Sequence, residues 1–196
     1  ELMTFYDNHD MVRLDATDEG FIDAHNFLFT ARGIPVIYYG SESGFERGTA
    51  EHAGNRNYFG QARIDAAKSH RIHNAMRRIA KVRQAMSALQ HGLQVNLDMQ
   101  GDRAAFYRVH KHGGVHQVAL VLLNKGDAPQ RFEISKLLQA GTWRSATRRS
   151  DHAETTSGTG VGDHSRCLCD YRRYCRPGGL GARTLGTNDA RCEASK

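Results

Sequence analysis

The sequence predicts an α/β chain, in which two βα units of a parallel sheet precede a small antiparallel β domain. The first observation behind this prediction is that apolar runs, at residues 2–6 and 34–39, alternate with segments of helical apolar spacing. The second is a change of period after Gly92, where short apolar segments are separated by polar turns that contain glycine. Strand–helix–strand–helix order is typical of parallel sheets, and short strands with tight turns are typical of antiparallel ones.

The first βα unit is predicted within residues 2–31. Residues 2–6 form a short, largely apolar run, as expected of a strand that is buried on both faces. Asp18 and Glu19 then place negative charge where a helix N-terminus is stabilised by it. Four apolar residues follow at helical spacing, and Gly33 provides a stop signal, so we expect a helix at about residues 19–31.

The second βα unit begins with a predicted buried strand at residues 34–39. Pro35 fits there because the first positions of a strand need no ladder donor, and Gly40 ends the strand. A polar connection extends to about Lys68, and Ser69 is expected to cap a second helix. The apolar stripe of this helix is Ile72, Ala75, Met76, Ile79, Val82 and Met86. Its charged residues are expected on a solvated face: Arg71, Arg77, Arg78, Lys81 and Arg83.

The domain boundaries follow from these patterns. Residues 1–90 hold both βα units, and residues 91–143 are expected to form an incomplete antiparallel β domain with strands at 93–98, 103–109, 116–123 and 130–135. Residues 144–166 contain a single strongly apolar residue, Val161, and no aromatic one. Such a segment buries too little apolar surface to offset its chain entropy. We therefore expect residues 144–196 to be a disordered or aberrant tail, as a shifted reading frame would produce.

The charge and the cysteines are concentrated in that tail. The net charge is +6, and residues 144–196 hold 10 Lys and Arg against 6 Asp and Glu. A phosphate-binding patch would lie on a folded face with aromatic residues among its charges, so we expect no nucleic-acid partner. No apolar run approaches the roughly 20 residues that cross a bilayer, so we expect no membrane partner. The four cysteines lack the paired spacing of a zinc site, and no metal site is predicted: Cys167, Cys169, Cys175 and Cys192.

A polar cluster, Asp7-Asn8-His9-Asp10, follows the first predicted strand directly. Barrels and open α/β sheets build their active sites at the carboxyl ends of strands. A carboxylate there acts as nucleophile, base or charge stabiliser, and a neighbouring histidine donates hydrogen bonds to a polar ligand. The same residue types also favour plain turns, because Asp and Asn side chains bond to their own backbone. Local features support the two interpretations equally.

Two longer strings favour the first interpretation. TFYDNHDMVRL at residues 4–14 and ARGIPVIYYGSE at residues 31–42 resemble the seventh and eighth strands of the catalytic barrel in the α-amylase family of glycoside hydrolases, which includes cyclodextrin glucanotransferases. The resemblance covers roughly residues 1–143. It implies a partial (β/α)8 TIM barrel (its last two βα units) followed by the family's small antiparallel β-sandwich domain. The matching residues are Phe5, Asn8, His9, Asp10, Gly33, Ile34, Pro35, Ile37, Tyr38, Tyr39, Gly40 and Glu42.

The resemblance also implies residue roles and partners. The chain would be part of a retaining α-glucan hydrolase or glucanotransferase that acts on starch-type polysaccharides. Asp10 would be the transition-state stabiliser, His9 would hydrogen-bond to the same sugar, and Asn8 and Arg56 would bind substrate. The family's nucleophile and general acid lie on earlier strands, and no segment of this chain resembles them. A missing N-terminal barrel portion is therefore an implied partner, and the 196 residues alone are expected to be inactive.

One motif departs from the family pattern. Glucanotransferases carry an Asp-Pro-x-Asn-Arg motif after the eighth strand, whereas this chain has His52-Ala53-Gly54-Asn55-Arg56. Asn55 and Arg56 match, but His52 stands where the aspartate would be. Arg56 would then contact sugar hydroxyls without its usual acidic partner. A loop-anchoring ion pair is the other interpretation of Arg56.

The resemblance also bears on cofactors and on the location of the protein, and the residues leave two other functions open. We expect no cofactor here, because the calcium sites that family members often have lie on other segments, and the resemblance implies a secreted or periplasmic protein. The C-terminal sheet alone could form a non-catalytic carbohydrate-binding module. The basic tail could instead serve an interaction protein, whose retention on polyanions would be salt-sensitive.

Overall fold

The computed structural model describes residues 2–128, 130–134, 143–146, 159–162, 168–171 and 190–194. The chain divides into two compact units, Glu1–Gln90 and His91–Lys196. Among the helices of these described residues, none combines the length and the hydropathy that crossing a bilayer requires.

Among the described residues, the first unit contains a parallel strand pair, a 3-10 helix and three α-helices that lie wholly within it. Strand β1 (Met3–Thr4) lies opposite β2 (Ile34–Pro35) in parallel, with Met3 facing Ile34 and Thr4 facing Pro35. A fourth helix, α4 (Ser87–His91), begins in this unit and ends at the first residue of the next. The elements in chain order are β1 (Met3–Thr4), α1 (Asp18–Thr30), β2 (Ile34–Pro35), a 3-10 helix (Ser41–Ser43), α2 (Gln61–Ala67) and α3 (Arg71–Ala85).

Both strands are shorter and more exposed than the sequence predicts. The apolar runs at 2–6 and 34–39 were expected to be buried on both faces, yet Leu2 is 84%, Met3 68% and Ile34 48% exposed. The sheet they form has only two strands in the part of the chain that the structure describes, so neighbouring strands do not cover them. The prediction that these two strands are buried on both faces was therefore wrong for this chain.

The strands end early because polar contacts draw the backbone out of the ladder. The Asp7 carboxylate, which is buried, accepts hydrogen bonds from the Leu14 amide at 2.9 Å and from the Ser41 hydroxyl at 2.8 Å. The Tyr38 carbonyl accepts from the Ser41 amide at 3.1 Å, which closes a turn directly before the 3-10 helix. The Tyr39 carbonyl accepts from the Arg13 guanidinium at 3.1 Å.

Glycine is required at position 33, between α1 and β2. Its φ is +119°, and a Cβ there would lie 2.5 Å from Thr4 Cγ2 and 3.2 Å from the Leu2 carbonyl oxygen. That same carbonyl accepts the Ile34 amide hydrogen bond at 2.9 Å. A side chain at position 33 would therefore disturb the pairing of β1 with β2.

The helices of the first unit differ from the prediction in the cap of α3 and in the presence of α2. Helix α1 is close to the predicted 19–31, and its N-cap is Thr17, whose side chain accepts from the Gly20 amide at 3.3 Å. Helix α3 is capped by His70 rather than by Ser69, because the Ser69 hydroxyl instead bonds to the Ala66 carbonyl at the end of α2. Helix α2 itself lies within the stretch that was predicted to be a connection.

Helices α1 and α3 pack together to form the core of this unit. Their buried apolar side chains match the predicted stripes: Phe21, Leu28, Ile72, Ala75 and Ile79. Arg83, expected on the solvated face, is buried instead. Its guanidinium donates to the carbonyls of Phe29 at 2.9 Å and Gly33 at 2.6 Å. These carbonyls lie at the C-terminal end of α1 and just beyond it, where a cation is electrostatically favoured.

The second unit is built around an antiparallel meander. Strands β3, β4 and β5 pair in order, near the predicted segments, and the tight turn between β4 and β5 places Gly113 and Gly114 at positive φ. The strands are β3 (Leu93–Gln100), β4 (Arg103–His112), β5 (Val115–Asn124), β6 (Gln130–Ile134), β7 (Trp143–Ser145), β8 (Thr159–Gly162), β9 (Leu168–Tyr171) and β10 (Ala190–Ala194).

Two sheets are formed by these strands. One has the order β3-β4-β5-β9-β7, and the other has the order β6-β10-β8. Buried residues of β4, β5 and β6 share one apolar cluster: Ala105, Tyr107, Val118, Leu120, Leu122, Phe132 and Ile134. The tail expected at 144–196 to be disordered or aberrant lies for the most part outside the described residues, apart from the short strands β8, β9 and β10 and the flanking residues at 144–146.

Replacing Arg83 by Met should destabilise the first unit by about 3 kcal/mol, because it leaves buried carbonyls at the end of α1 without a donor. Urea denaturation followed by circular dichroism measures this loss. Arg78→Met is the matched control, since Arg78 lies on the same helix and is exposed; we expect a change of at most about 0.5 kcal/mol there. Equal effects of the two substitutions would contradict the role given to Arg83.

The buried His25 should make the stability of the first unit depend on pH. Its Nε2 lies 2.9 Å from the Tyr6 hydroxyl, and burial lowers the pKa of His25 to about 4. Below about pH 6.5 His25 is protonated in the unfolded chain but stays neutral in the folded chain. The free energy of unfolding should therefore fall as the pH drops from about 6.5 to 4, by up to about 3 kcal/mol. Urea denaturation at several pH values, compared between wild type and His25→Gln, measures it.

In His25→Gln this part of the pH dependence should be lost, whereas His116→Gln should retain it, because His116 is exposed in the second unit. A pH dependence that is identical in His25→Gln and in wild type would refute the assignment.

Candidate functional site

The polar cluster at residues 7–10 lies at the carboxyl end of β1, next to the segment that leaves the carboxyl end of β2. Within it, the Asn8 side-chain oxygen accepts a hydrogen bond from the Asp10 amide at 2.7 Å, which closes a short turn at residues 8–11 (the 8–11 turn). Asp7 points inward and both of its oxygens are occupied by Leu14 and Ser41. Asp7 and Asn8 therefore build a turn, as the second interpretation of the cluster predicts, and that turn presents Asp10.

The Asp10 carboxylate is exposed and has a partner at each oxygen. His9 Nε2 lies 3.1 Å from Oδ2, and Arg56 Nη2 lies 2.6 Å from Oδ1. The side chains remain about half exposed, at 60% for His9, 59% for Asp10 and 51% for Arg56. An anionic acceptor beside an imidazole and a guanidinium suits the recognition of a neutral ligand rich in hydroxyl groups.

A loop at residues 51–57 (the 51–57 loop) holds the 8–11 turn through Asn55. The Asn55 side chain is fully buried; its Nδ2 donates to the carbonyls of His9 at 2.6 Å and Met11 at 3.1 Å, and its Oδ1 accepts from the His52 amide at 3.0 Å. All of its polar side-chain atoms are therefore used. The carbonyl of Asn55 in turn accepts from the Tyr38 hydroxyl at 3.0 Å.

Arg13 lies beneath this network as a buried cation. Its two terminal nitrogens donate to the carbonyls of Tyr39 and Asn55, both at 3.1 Å. Its guanidinium carbon lies 4.7 Å from the ring centroid of Tyr38, 4.9 Å from that of Tyr39 and 5.2 Å from that of Phe45. A charge that is 1% exposed is tolerable here because carbonyl oxygens and aromatic faces surround it.

His52, at the place of the family's aspartate, turns away from this network. Its Nε2 pairs with Glu51 at 3.0 Å, while its backbone has a φ of +62°. Arg56 accordingly finds its carboxylate in Asp10 rather than at position 52. Arg56 Nε also donates to the His9 carbonyl at 3.0 Å. Arg56 therefore anchors the 51–57 loop to the 8–11 turn, which is the contact that the loop-anchoring interpretation predicts.

The four predicted site residues, Asn8, His9, Asp10 and Arg56, therefore lie together. Arg13 and Asn55 were not predicted as site residues, although Arg13 belongs to the motif at residues 4–14 and Asn55 to the motif at residues 52–56. Only their position in those motifs could have identified them, because a single buried polar residue does not produce a periodic pattern in the sequence. Among the described residues, no group of three or more His, Cys, Asp and Glu side chains is arranged to hold a metal ion.

Comparison with known proteins supports the resemblance. No protein-family model matches the chain. The cyclomaltodextrin glucanotransferase of Thermoanaerobacterium thermosulfurigenes is 29% identical over 149 residues, which cover 73% of this chain and 19% of the relative. That of Niallia circulans is 32% identical over 127 residues, which cover 63% of this chain and 16% of the relative. The chain thus spans less than a fifth of the length of these relatives.

Solved structures agree in fold. An α-amylase from Geobacillus thermoleovorans, complexed with acarbose, matches with a TM-score of 0.65 at 20% identity, over 89% of this chain and 39% of that one. The cyclomaltodextrin glucanotransferase CldA matches with a TM-score of 0.59 at 28% identity, over 75% of this chain and 29% of that one. From these relatives, the chain is homologous to a part of the longer cyclomaltodextrin glucanotransferases, and it shares its fold with a part of the α-amylase structure.

Proposed function

We propose that this chain supplies the seventh and eighth βα units and the C-terminal β domain of a retaining hydrolase or glucanotransferase that acts on starch-type α-glucans. The observation that carries the proposal is the exposed Asp10 carboxylate, held between His9 and Arg56 at the carboxyl end of a parallel strand. Active sites of barrel enzymes are built at this end of the strands.

Asp10 acts on the sugar at the cleavage point. As the ring becomes an oxocarbenium ion, its hydroxyl groups become more acidic, and a carboxylate that accepts their hydrogen bonds is worth more in the transition state than in the ground state. His9, which pairs with the same carboxylate, donates to a neighbouring sugar oxygen, and Asn8 orders the turn that carries both. Such contacts to hydroxyl groups supply several kcal/mol in glycosidases.

The nucleophile and the general acid come from a part of the barrel other than these two units. A retaining mechanism needs two carboxyl groups about 5–5.5 Å apart on either side of the scissile bond. Asp7, the carboxylate next to the turn, is 4% exposed and already accepts from Leu14 and Ser41, so it is unsuited to either task. The exposed apolar residues of β1 and β2 fit the same proposal, because further strands would cover them.

A carbohydrate-binding module in the second unit has less support. Such modules hold sugars against exposed aromatic rings, whereas the described phenylalanine and tyrosine side chains of this unit, Phe106, Tyr107 and Phe132, are buried.

The 196-residue chain alone should show no turnover of starch, and in the complete enzyme Asp10→Asn should lower kcat by at least about 100-fold with little change in KM. The reason is that the lost charge acts mainly in the transition state. Initial rates of reducing-end release from soluble starch measure both.

Asp65→Asn is the matched control, since Asp65 is an exposed carboxylate that is paired with Lys68 on α2, and it should retain wild-type kinetics. Starch turnover by the purified 196-residue chain that Asp10→Asn abolishes would overturn the proposal and make Asp10 a principal catalyst.

His52→Asp should shift the products of the complete enzyme toward longer or cyclic oligosaccharides. A carboxylate at position 52 would compete with Asp10 for Arg56 and restore the acidic residue of the glucanotransferase motif at that position, and aspartate tolerates the positive φ found there. Chromatography of the products detects the shift. His52→Asn, which lacks the charge, should leave the products unchanged; an unchanged spectrum in His52→Asp would show that the loop does not reach the substrate.

A further inference from the structure

The Asp10 side chain stands on a turn with little hold of its own. Within the turn, Asn8 bonds to the Asp10 backbone, and the Asp10 carboxylate is paired with His9, whose side chain is itself more than half exposed. An exposed carboxylate on such a turn samples several orientations, whereas a transition-state contact requires one, and small misplacements of a reacting group are costly in rate. Whatever fixes the carboxylate therefore matters for catalysis.

The backbone on both sides of Asp10 is fixed by Asn55. Its single amide nitrogen donates to the carbonyl before Asp10, that of His9, and to the carbonyl after it, that of Met11. Asn55 has no exposed surface, and its own carbonyl is held by Arg13 and by the Tyr38 hydroxyl. The position of the turn is thereby set by buried groups.

The side chain of Asp10 is fixed by Arg56. One planar guanidinium donates from Nε to the His9 carbonyl at 3.0 Å and from Nη2 to Asp10 Oδ1 at 2.6 Å. It therefore ties the carboxylate to the backbone of the same turn, a geometry that the point charge of a lysine does not reproduce. Because Arg56 and Asp10 are about half exposed, their ion pair adds little to the stability of the fold, so its consequence lies in orientation.

We propose that Arg56 is a positioning residue that acts through Asp10 and does not itself bind the sugar. The inference rests on the proposed function, and it replaces the direct sugar contact that the resemblance implies for Arg56. Its physical basis is that the guanidinium has its hydrogen bonds on the 8–11 turn, where they orient the carboxylate.

A double-mutant cycle in the complete enzyme tests this. The variants are Arg56→Gln, Arg56→Lys, Asp10→Asn and the double variant Arg56→Gln/Asp10→Asn, assayed with an activated glucosyl fluoride donor so that slow variants stay measurable. Arg56→Gln should lower kcat about 10- to 100-fold with KM nearly unchanged, and Arg56→Lys should recover only part of it. In the Asp10→Asn background, Arg56→Gln should change kcat less than about threefold, since coupled residues lose their effects together.

The control is Arg71→Gln, because Arg71 forms a comparably exposed ion pair with Glu19 away from the site and should leave kinetics unchanged. A rise in KM at constant kcat in Arg56→Gln, or an equal loss of kcat in both backgrounds, would show direct sugar binding and overturn the inference. If Asp10→Asn alone leaves kcat unchanged, the proposed function fails, and the inference fails with it; that outcome is recognised from the single variant.

Discussion

The full burial of Asn55 is the constraint on which the site depends. A buried amide must find a partner for each of its polar atoms, and Asn55 finds them in His9, Met11 and the His52 amide. A shift of the 51–57 loop against the 8–11 turn would leave these groups unpaired at a cost of a few kcal/mol. The relative placement of the two segments is therefore determined by these contacts within the chain, and Arg56 and Asp10 are brought together as a result.

Buried guanidinium groups extend the same principle through the first unit. Arg13 binds carbonyls beneath the site, and Arg83 binds carbonyls where α1 ends and β2 begins. The order of the unit thus comes from the α1–α3 pair and from arginine–carbonyl contacts, whereas the strands β1 and β2 contribute exposed apolar surface. A preformed polar site next to uncovered strands is what one expects of a segment that completes a larger sheet, as proposed for the barrel.

The sequence predicted helices α1 and α3 and the meander because these elements bury apolar side chains at regular spacing. The helices α1 and α3 and the strands β3 to β6 lie within a few residues of their predicted positions. What it missed depends on contacts between distant residues: Arg83 was placed on a solvated face although three carbonyls surround it, and Ser69 was chosen as a cap although its hydroxyl closes α2. The candidate site residues at 8–10 and at 56 were chosen through motifs, and the structure brings them together; the ion pair of Arg56 with Asp10 was not predicted, since 46 residues separate them.

The most direct test of the account is a crystal structure of the complete enzyme with acarbose, the ligand found in the matching α-amylase from Geobacillus thermoleovorans. If Asp10 contacts the reacting sugar and Arg56 orients it, a sugar-like ring should lie within hydrogen-bonding distance of Asp10 and His9, with Arg56 still on Oδ1 of Asp10 and Asn55 still on the carbonyls of the 8–11 turn. Acarbose bound away from Asp10, or a guanidinium of Arg56 that leaves the carboxylate to hold the ring directly, would contradict it.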